Sequence, residues 1–226
     1  MLWMCIFVHM HENKVELMGT YGGDETHALS AWTSTSRELT DEKRGRIDKL
    51  LKYLAENDHE TPFEKSSLHF LVTCDIASHI HVLKHRVGVS VNGESARYKE
   101  LKDDKFYIPE DWNEQEQNIL IEHTQRSLEL YHAVFQRLVK DGVSKKRAKE
   151  SARFYLPYNT QITSDVMFNF RSFVHFLRLR YSMHAQVEIR EIAKNMAELV
   201  VATGTFNKSL EAFGLLIDGQ LRQPFE

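Results

Sequence analysis

Only two of the 226 residues are cysteine, Cys5 and Cys74. A disulfide framework is not expected, and a reducing, cytoplasmic setting is the simpler reading. Cys74 closes the alternating run Leu68-His69-Phe70-Leu71-Val72-Thr73-Cys74. That pattern reads as a strand with the thiol on its buried side, not as a thiolate in an electropositive niche. Proline is scarce too, at four residues, and the chain has no Pro/Gly/Ser linker, internal repeat or low-complexity tract. No domain boundary is therefore drawn, and one well-buried core is expected. Long hydrophobic runs are missing: Met1 to Met10 is apolar but too short to span a bilayer, and it lacks the basic lead of a signal peptide. It is read as part of an extension, 1–14, ahead of a domain over 15–226, with no membrane partner.

Charge of either sign is also not in excess. With 29 Lys and Arg against 32 Asp and Glu, the net charge is -3. No whole-protein field draws in nucleic acid, despite Lys145-Lys146-Arg147, so no nucleic-acid partner is expected. What remains, 42% hydrophobic and 27% charged residues, describes a soluble globular chain.

Periodicity supplies the coarse architecture. Thr40 followed by Asp41 and Glu42 reads as a helix start, with Ile47, Leu50, Leu51 and Leu54 at core spacing up to Asn57. A strand near Ser67 to Cys74 leads into a short helix from about Asp75 to Lys84. A long helix runs from about Asn113 to Lys140, stopped by Asp141-Gly142, and Ser144 opens another that reaches Arg153 and breaks before Pro157. Ile162, Ser164, Val166 and Phe168 alternate as a second strand. Helices over about Asn169 to Arg180 and Ala185 to Thr203 follow, the latter read as the last. Long helices segregated from strands predict an α+β fold, a twisted and mainly antiparallel sheet flanked by helices.

Basic residues concentrate at one place. Lys84-His85-Arg86 is followed by eight residues and then Ser95-Ala96-Arg97-Tyr98. Four cationic or potentially cationic side chains (Lys84, His85, Arg86, Arg97) bracket the turn-forming pair Asn92-Gly93 and the Ser95 hydroxyl. A solvated basic face would also cluster Lys and Arg, but a turn and a hydroxyl between them favour an anion site. Ser95 as a nucleophile is the weaker reading, because no base accompanies it. His81 and His85 lie four apart, a spacing that can hold a metal, yet no third ligand stands at helical spacing and no metal is expected.

The order of these residues resembles the signature of flavin-dependent thymidylate synthases, with Lys84 in place of an Arg and a spacer one residue longer. Lys keeps the charge but loses the planar fork. Two further blocks resemble the same family: His59-Glu60-Thr61-Pro62-Phe63-Glu64, and Asn169-Phe170-Arg171 continuing through Arg178-Leu179-Arg180 to His184-Ala185-Gln186. The resemblance covers roughly Val15 to Met196.

The resemblance implies FAD contacts at Ser34, His59, Thr61, Glu64, Lys84, His85, Arg86, Glu94, Asn169, Arg171 and His175, the last standing where many relatives have Asn. It implies nucleotide contacts at His81 (where Gln is usual), Lys84, Glu94, Ser95, Ala96, Arg97, Arg153 and Arg180. Either Gly93 has lost a carboxylate contact or the inserted residue lets Glu94 take it over. Arg171, His175 and Arg178 fall near one helical face, and Arg180, nine residues beyond Arg171, about half a turn away; Arg178 is read as a surface or salt-bridge residue. For His59 the plain reading is a loop histidine, and for Arg153 a helix-terminal one.

The implied activity is reductive methylation of dUMP to dTMP, with methylenetetrahydrofolate as carbon donor, FAD as redox carrier and NADPH as reductant. Arg180 would stabilise charge developing on the base. A homotetramer with active sites shared between subunits is implied as well. The alternative is a flavin- and nucleotide-binding protein of the same fold with impaired catalysis, because His81, Lys84, Gly93 and the longer spacer depart from the pattern.

Overall fold

The computed structural model describes residues 12–95, 97 and 104–226. Met1 to Met10 and the assigned contact Ala96 lie outside the described residues. The elements are β1 (Lys14–Tyr21), α1 (Asp24–Trp32), α2 (Asp41–Arg44), α3 (Ile47–Glu56), β2 (Ser67–Asp75), α4 (Ile76–Leu83) and β3 (Val89–Gly93). They continue with α5 (Glu114–Lys140), α6 (Lys145–Ala152), β4 (Gln161–Asn169), α7 (Phe170–Arg180), α8 (Val187–Ala202), α9 (Asn207–Ala212), β5 (Leu216–Ile217) and β6 (Gln220–Leu221). Four strands form one sheet in the order β1-β2-β4-β3, and β5 and β6 form an antiparallel hairpin. The expected α+β class is what the chain adopts.

Helix starts follow from side chains that satisfy amide groups left over by the helical ladder. The Asn113 side chain accepts from Glu116 N at 3.0 Å, Ser144 from Arg147 N at 3.3 Å and Asn169 from Ser172 N at 2.8 Å. Each such cap is worth about 1 kcal/mol. Thr40 caps as well, but only α2. The single helix expected from Thr40 to Asn57 is two, parted at Gly45-Arg46, where Arg46 N turns back to Lys43 O. The reason is burial: α2 buries nothing, while Ile47, Leu51 and Leu54 are buried only from the start of α3. Two other expectations are corrected. Asn92 and Gly93 end strand β3 and do not form a free turn. Helix α8 is not the last, since α9 and the β5–β6 hairpin follow Gly204.

The contacts divide the described chain into two compact units, each assembled from separated stretches. One contains Thr73–Ile80 and the described part of Gly93–Ser164, with residues 12–14. Its apolar centre sets Tyr131 and Phe135 of α5 against Ala148 and Ala152 of α6, beside a second cluster of Phe106, Ile108 and Leu128. The other contains Val15–Val72, His81–Asn92 and Asp165–Glu226. Its core is built from phenylalanine. Phe70 stacks on Phe173 at 5.7 Å between ring centres, Phe168 meets Phe176 at 5.2 Å, and Phe63 meets Phe213 at 4.7 Å. Cys74 is buried, and burial pushes its thiol up to about 12, which makes it an inert core residue.

Within the phenylalanine core sits a polar chain. Asp24 accepts from the Ser209 hydroxyl at 2.6 Å, and the Ser209 oxygen lies 2.8 Å from His27 Nδ1. The Ser66 hydroxyl lies 2.7 Å from His27 Nε2. With Ser209 donating to Asp24, His27 carries its proton on Nδ1 and accepts from Ser66. His27 is fully buried, and burial pushes its pKa down to about 4.

Candidate functional site

In the second unit, Glu60, Glu64, Val87, Asn169, Arg171, Ser172, Val174, His175 and Arg178 line a cavity of about 260 Å³. Residues far apart in sequence arrive there for local reasons. Pro62 sits second in the 3₁₀ turn Thr61–Glu64 and Phe63 anchors it in the core, which leaves Glu60 and Glu64 beside the cavity. Asn169 caps α7, and three residues one helical face apart, Arg171, His175 and Arg178, point into the same space. Arg171 donates from Nε to Glu60 at 2.6 Å and from Nη1 to Glu64 at 2.7 Å. These two bonds, Glu64 first, raise the pKa of its guanidinium. Arg178 lies over the Phe213 ring at 5.5 Å. Arg178 is exposed, as expected, and also lines the cavity, as does Glu60, to which the sequence reading assigns no role. Arg178 had a signal in its spacing from Arg171, and Glu60 in its place beside His59.

Glu64 also lines a second, larger cavity of about 690 Å³ with Tyr21, Thr26, Ser30, Thr33 and Arg37. Ser34 lines neither of these two cavities; it is exposed after α1, its hydroxyl bonded to Ala31 O. His59 is also outside both linings, its backbone amide closing α3 onto Leu54 O and its ring edge-on to Tyr53. Thr61 is exposed at the start of the 3₁₀ turn.

The basic loop is pinned onto the start of α7. The Ser172 hydroxyl donates to Val87 O at 2.6 Å and Asn169 N donates to Gly88 O at 2.9 Å. Gly88 has φ +65°, and a Cβ there would fall 2.3 Å from Asn169 Nδ2 and 2.4 Å from Ser172 Oγ. Gly88→Ala is expected to lower stability by at least about 1 kcal/mol from the left-handed backbone alone. Urea unfolding checks this, and a midpoint equal to the parent's would refute it. Lys84 and Arg86 are exposed, whereas His85 is 7% exposed. Of the four cationic or potentially cationic side chains, His85 is the one that burial affects most. Burial, with the nearby Arg180, His175 and His81 charges, pushes its pKa down to about 4, so it is neutral. Its Nε2 accepts from Arg180 Nε at 3.1 Å. Burial also lowers the pKa of Arg180.

The other unit holds Glu94, Ser95, Arg97 and Arg153. Glu94 pairs with Thr163 twice, its amide donating to the Thr163 carbonyl at 2.8 Å and its carboxylate accepting from the Thr163 amide at 3.0 Å. Gly93 packs so closely that an added Cβ would lie 2.9 Å from the Ser164 hydroxyl, which itself bonds His79 at 3.1 Å. A carboxylate side chain at position 93 would have to displace that hydroxyl. Ser95 Oγ accepts from Arg97 N at 3.3 Å, and Arg97 donates from Nε and Nη2 to Glu150 at 3.2 and 3.1 Å. Arg97 and the neighbouring lysine and arginine hold the Glu150 carboxyl below its ordinary range. Arg153 is exposed at the end of α6.

Residues 16–203 match the family model described as thymidylate synthase complementing protein. The chain is 31% identical over 188 residues to the flavin-dependent thymidylate synthase of Pseudothermotoga lettingae, covering 82% of this chain and 83% of the relative. It is 32% identical over 200 residues to that of Thermosipho africanus, covering 82% and 84%. Its fold is similar to a crystal structure of the UMP/dUMP methylase PolB from Streptomyces cacaoi bound with 5-Br dUMP. The TM-score is 0.75 at 28% identity, over 91% of this chain and 96% of that one. A PolB structure bound with 5-Br UMP gives 0.74 at 26% identity. By the extent of these matches and the residues gathered around its cavity, the chain belongs to the flavin-dependent thymidylate synthase family.

Proposed function

We propose that this chain methylates dUMP to dTMP, with methylenetetrahydrofolate as carbon donor, FAD as redox carrier and NADPH as reductant. One observation carries the reading. Glu64 and Arg171, 107 positions apart and both assigned to flavin by resemblance, are bonded to one another at a cavity that Asn169 and His175 also line. The donor set fits part of a dinucleotide: Arg171, His175 and Arg178 offer N–H groups and the two arginines positive charge, while Glu60 and Glu64 offer acceptors to hydroxyl or amino groups. FAD exceeds a 260 Å³ space, and the larger cavity that shares Glu64 is where more of it fits.

When bound there, the flavin supplies the two-electron chemistry that turns a transferred methylene into a methyl group. The chain's own part is binding and orientation. Glu64, Asn169, Arg171 and His175 hold the cofactor, with Lys84, His85, Arg86, Glu94, Ser34, His59 and Thr61 as further assigned contacts. Ser95, Ala96, Arg97 and Arg153, with His81, Lys84 and Glu94, hold the nucleotide, and Glu150 keeps Arg97 in place. Arg180 donates to the base as negative charge builds on it. A homotetramer with shared sites in the cytoplasm completes the proposal.

The similarity to a UMP/dUMP methylase supports a second reading, in which the ribonucleotide UMP is also accepted. The test is an absorbance spectrum of the purified protein with FAD, bleaching by NADPH without oxygen, and then product formation from dUMP and from UMP. A protein that takes up no FAD overturns the proposal. One that binds FAD and reduces it but forms neither methylated product is the impaired binding protein. Arg171→Ala is expected to weaken FAD binding roughly tenfold to a hundredfold, the scale of a lost charge-assisted hydrogen bond. Titration with FAD checks this, and unchanged affinity would remove Arg171 from the cofactor site.

A further inference from the structure

We propose that His85 is a positioning residue for Arg180: a neutral imidazole that holds the Nε edge of the guanidinium and leaves its Nη edge to the nucleotide. The inference rests on the proposed function and departs from the assignment of His85 to the flavin. Arg180 Nε donates to His85 Nε2 at 3.1 Å. A nitrogen that accepts from a guanidinium carries no proton, and a neutral imidazole then carries its proton on Nδ1. The ring is fixed from several sides. The main chain of His85 is held separately, the backbone amide donating to Val82 O at 3.1 Å. The ring stands edge-on to the fully buried Phe176 at 5.0 Å and to His175 at 5.9 Å.

Arg180 needs such a holder. It is the last residue of α7, where no further helical turn restrains it. Among the described residues it pairs with no carboxylate, unlike Arg171 with its two. A carboxylate partner would neutralise the charge that the reaction uses, whereas a neutral imidazole orients the guanidinium and leaves that charge in place. The alternation along α7 thus has a chemical consequence: the Arg171 face is neutralised by acids, and the Arg180 face is oriented without being neutralised.

The test pairs spectroscopy with kinetics on the FAD-loaded protein. Nitrogen NMR near neutral pH is expected to show His85 as the Nδ1-protonated tautomer, with an Nε2 resonance that shifts in Arg180→Ala. A proton on Nε2, or no shift, overturns the proposal whether or not the protein forms dTMP. In single turnover with reduced enzyme, His85→Leu is expected to slow dTMP formation about a hundredfold at retained FAD occupancy. His85→Gln, whose side-chain oxygen can accept from Arg180, is expected to restore about a tenth or more of the parental rate. The double variant His85→Leu/Arg180→Ala is expected to match Arg180→Ala within about twofold, since the two act as one unit. A His85→Leu protein that loses FAD, or independent effects that multiply in the double variant, would return His85 to a flavin or packing role. A parent that makes no dTMP defeats the proposed function instead, and the spectroscopic result alone then decides the imidazole–guanidinium link.

Discussion

Arg180→Ala is expected to abolish dTMP formation while leaving FAD bound. The guanidinium lies on the side of α7 away from Arg171 and meets His85, not the acids of the cavity. Losing one positioned donor to developing negative charge costs about 3 to 4 kcal/mol, a hundred- to thousandfold in rate. The measurement is single-turnover dTMP formation with pre-reduced enzyme, so that flavin reduction is not mistaken for the chemical step, beside FAD occupancy by absorbance. Near-parental turnover would refute the role. Loss of FAD would place Arg180 at the other ligand.

Acid is expected to unfold this protein earlier than its net charge suggests, with His27 as one of the main causes. The folded chain keeps this imidazole neutral down to about 4, while an unfolded chain protonates it near pH 6.5. Between those values the unfolded state binds the extra proton, so stability present above about pH 6.5 is lost as pH falls, by about 3 kcal/mol in total. His79 and His85 are shifted in the same direction by burial. Asp24 works the other way: burial raises its carboxyl pKa, the folded chain takes up that proton first, and part of the loss is offset near the acid end. Urea midpoints from neutral to acid pH read the effect. His27→Gln is expected to be less stable at neutral pH, having disturbed the Ser66 and Ser209 bonds, but to lose less on acidification. Equal slopes for the parent and His27→Gln would show that another group carries the acid sensitivity.

The sequence alone determined whatever depends on neighbours a few positions away. Asn113, Ser144 and Asn169 cap helices through amides three residues on, so their positions were legible from residue type and spacing. The α+β class followed from period, because a period of 3.6 or of 2 is a local property. The three family-like blocks were legible because each is nearly contiguous.

The tertiary structure decided what depends on partners far along the chain. Two interleaved units leave no linker, so composition could not announce them. The split of α2 from α3 depended on which residues found a core. Whether Asn92-Gly93 turned or paired as strand depended on a neighbouring strand supplied from beyond residue 160. The charge of His85 was the clearest case. Its sequence neighbours are Lys84 and Arg86, which mark a basic loop, while its state is set by burial and by Arg180, 95 positions away. Glu60 and Glu64 likewise became partners of Arg171 only when the chain closed over more than a hundred residues. Protonation and pairing follow desolvation and distance, and neither exists until the fold has brought the groups together.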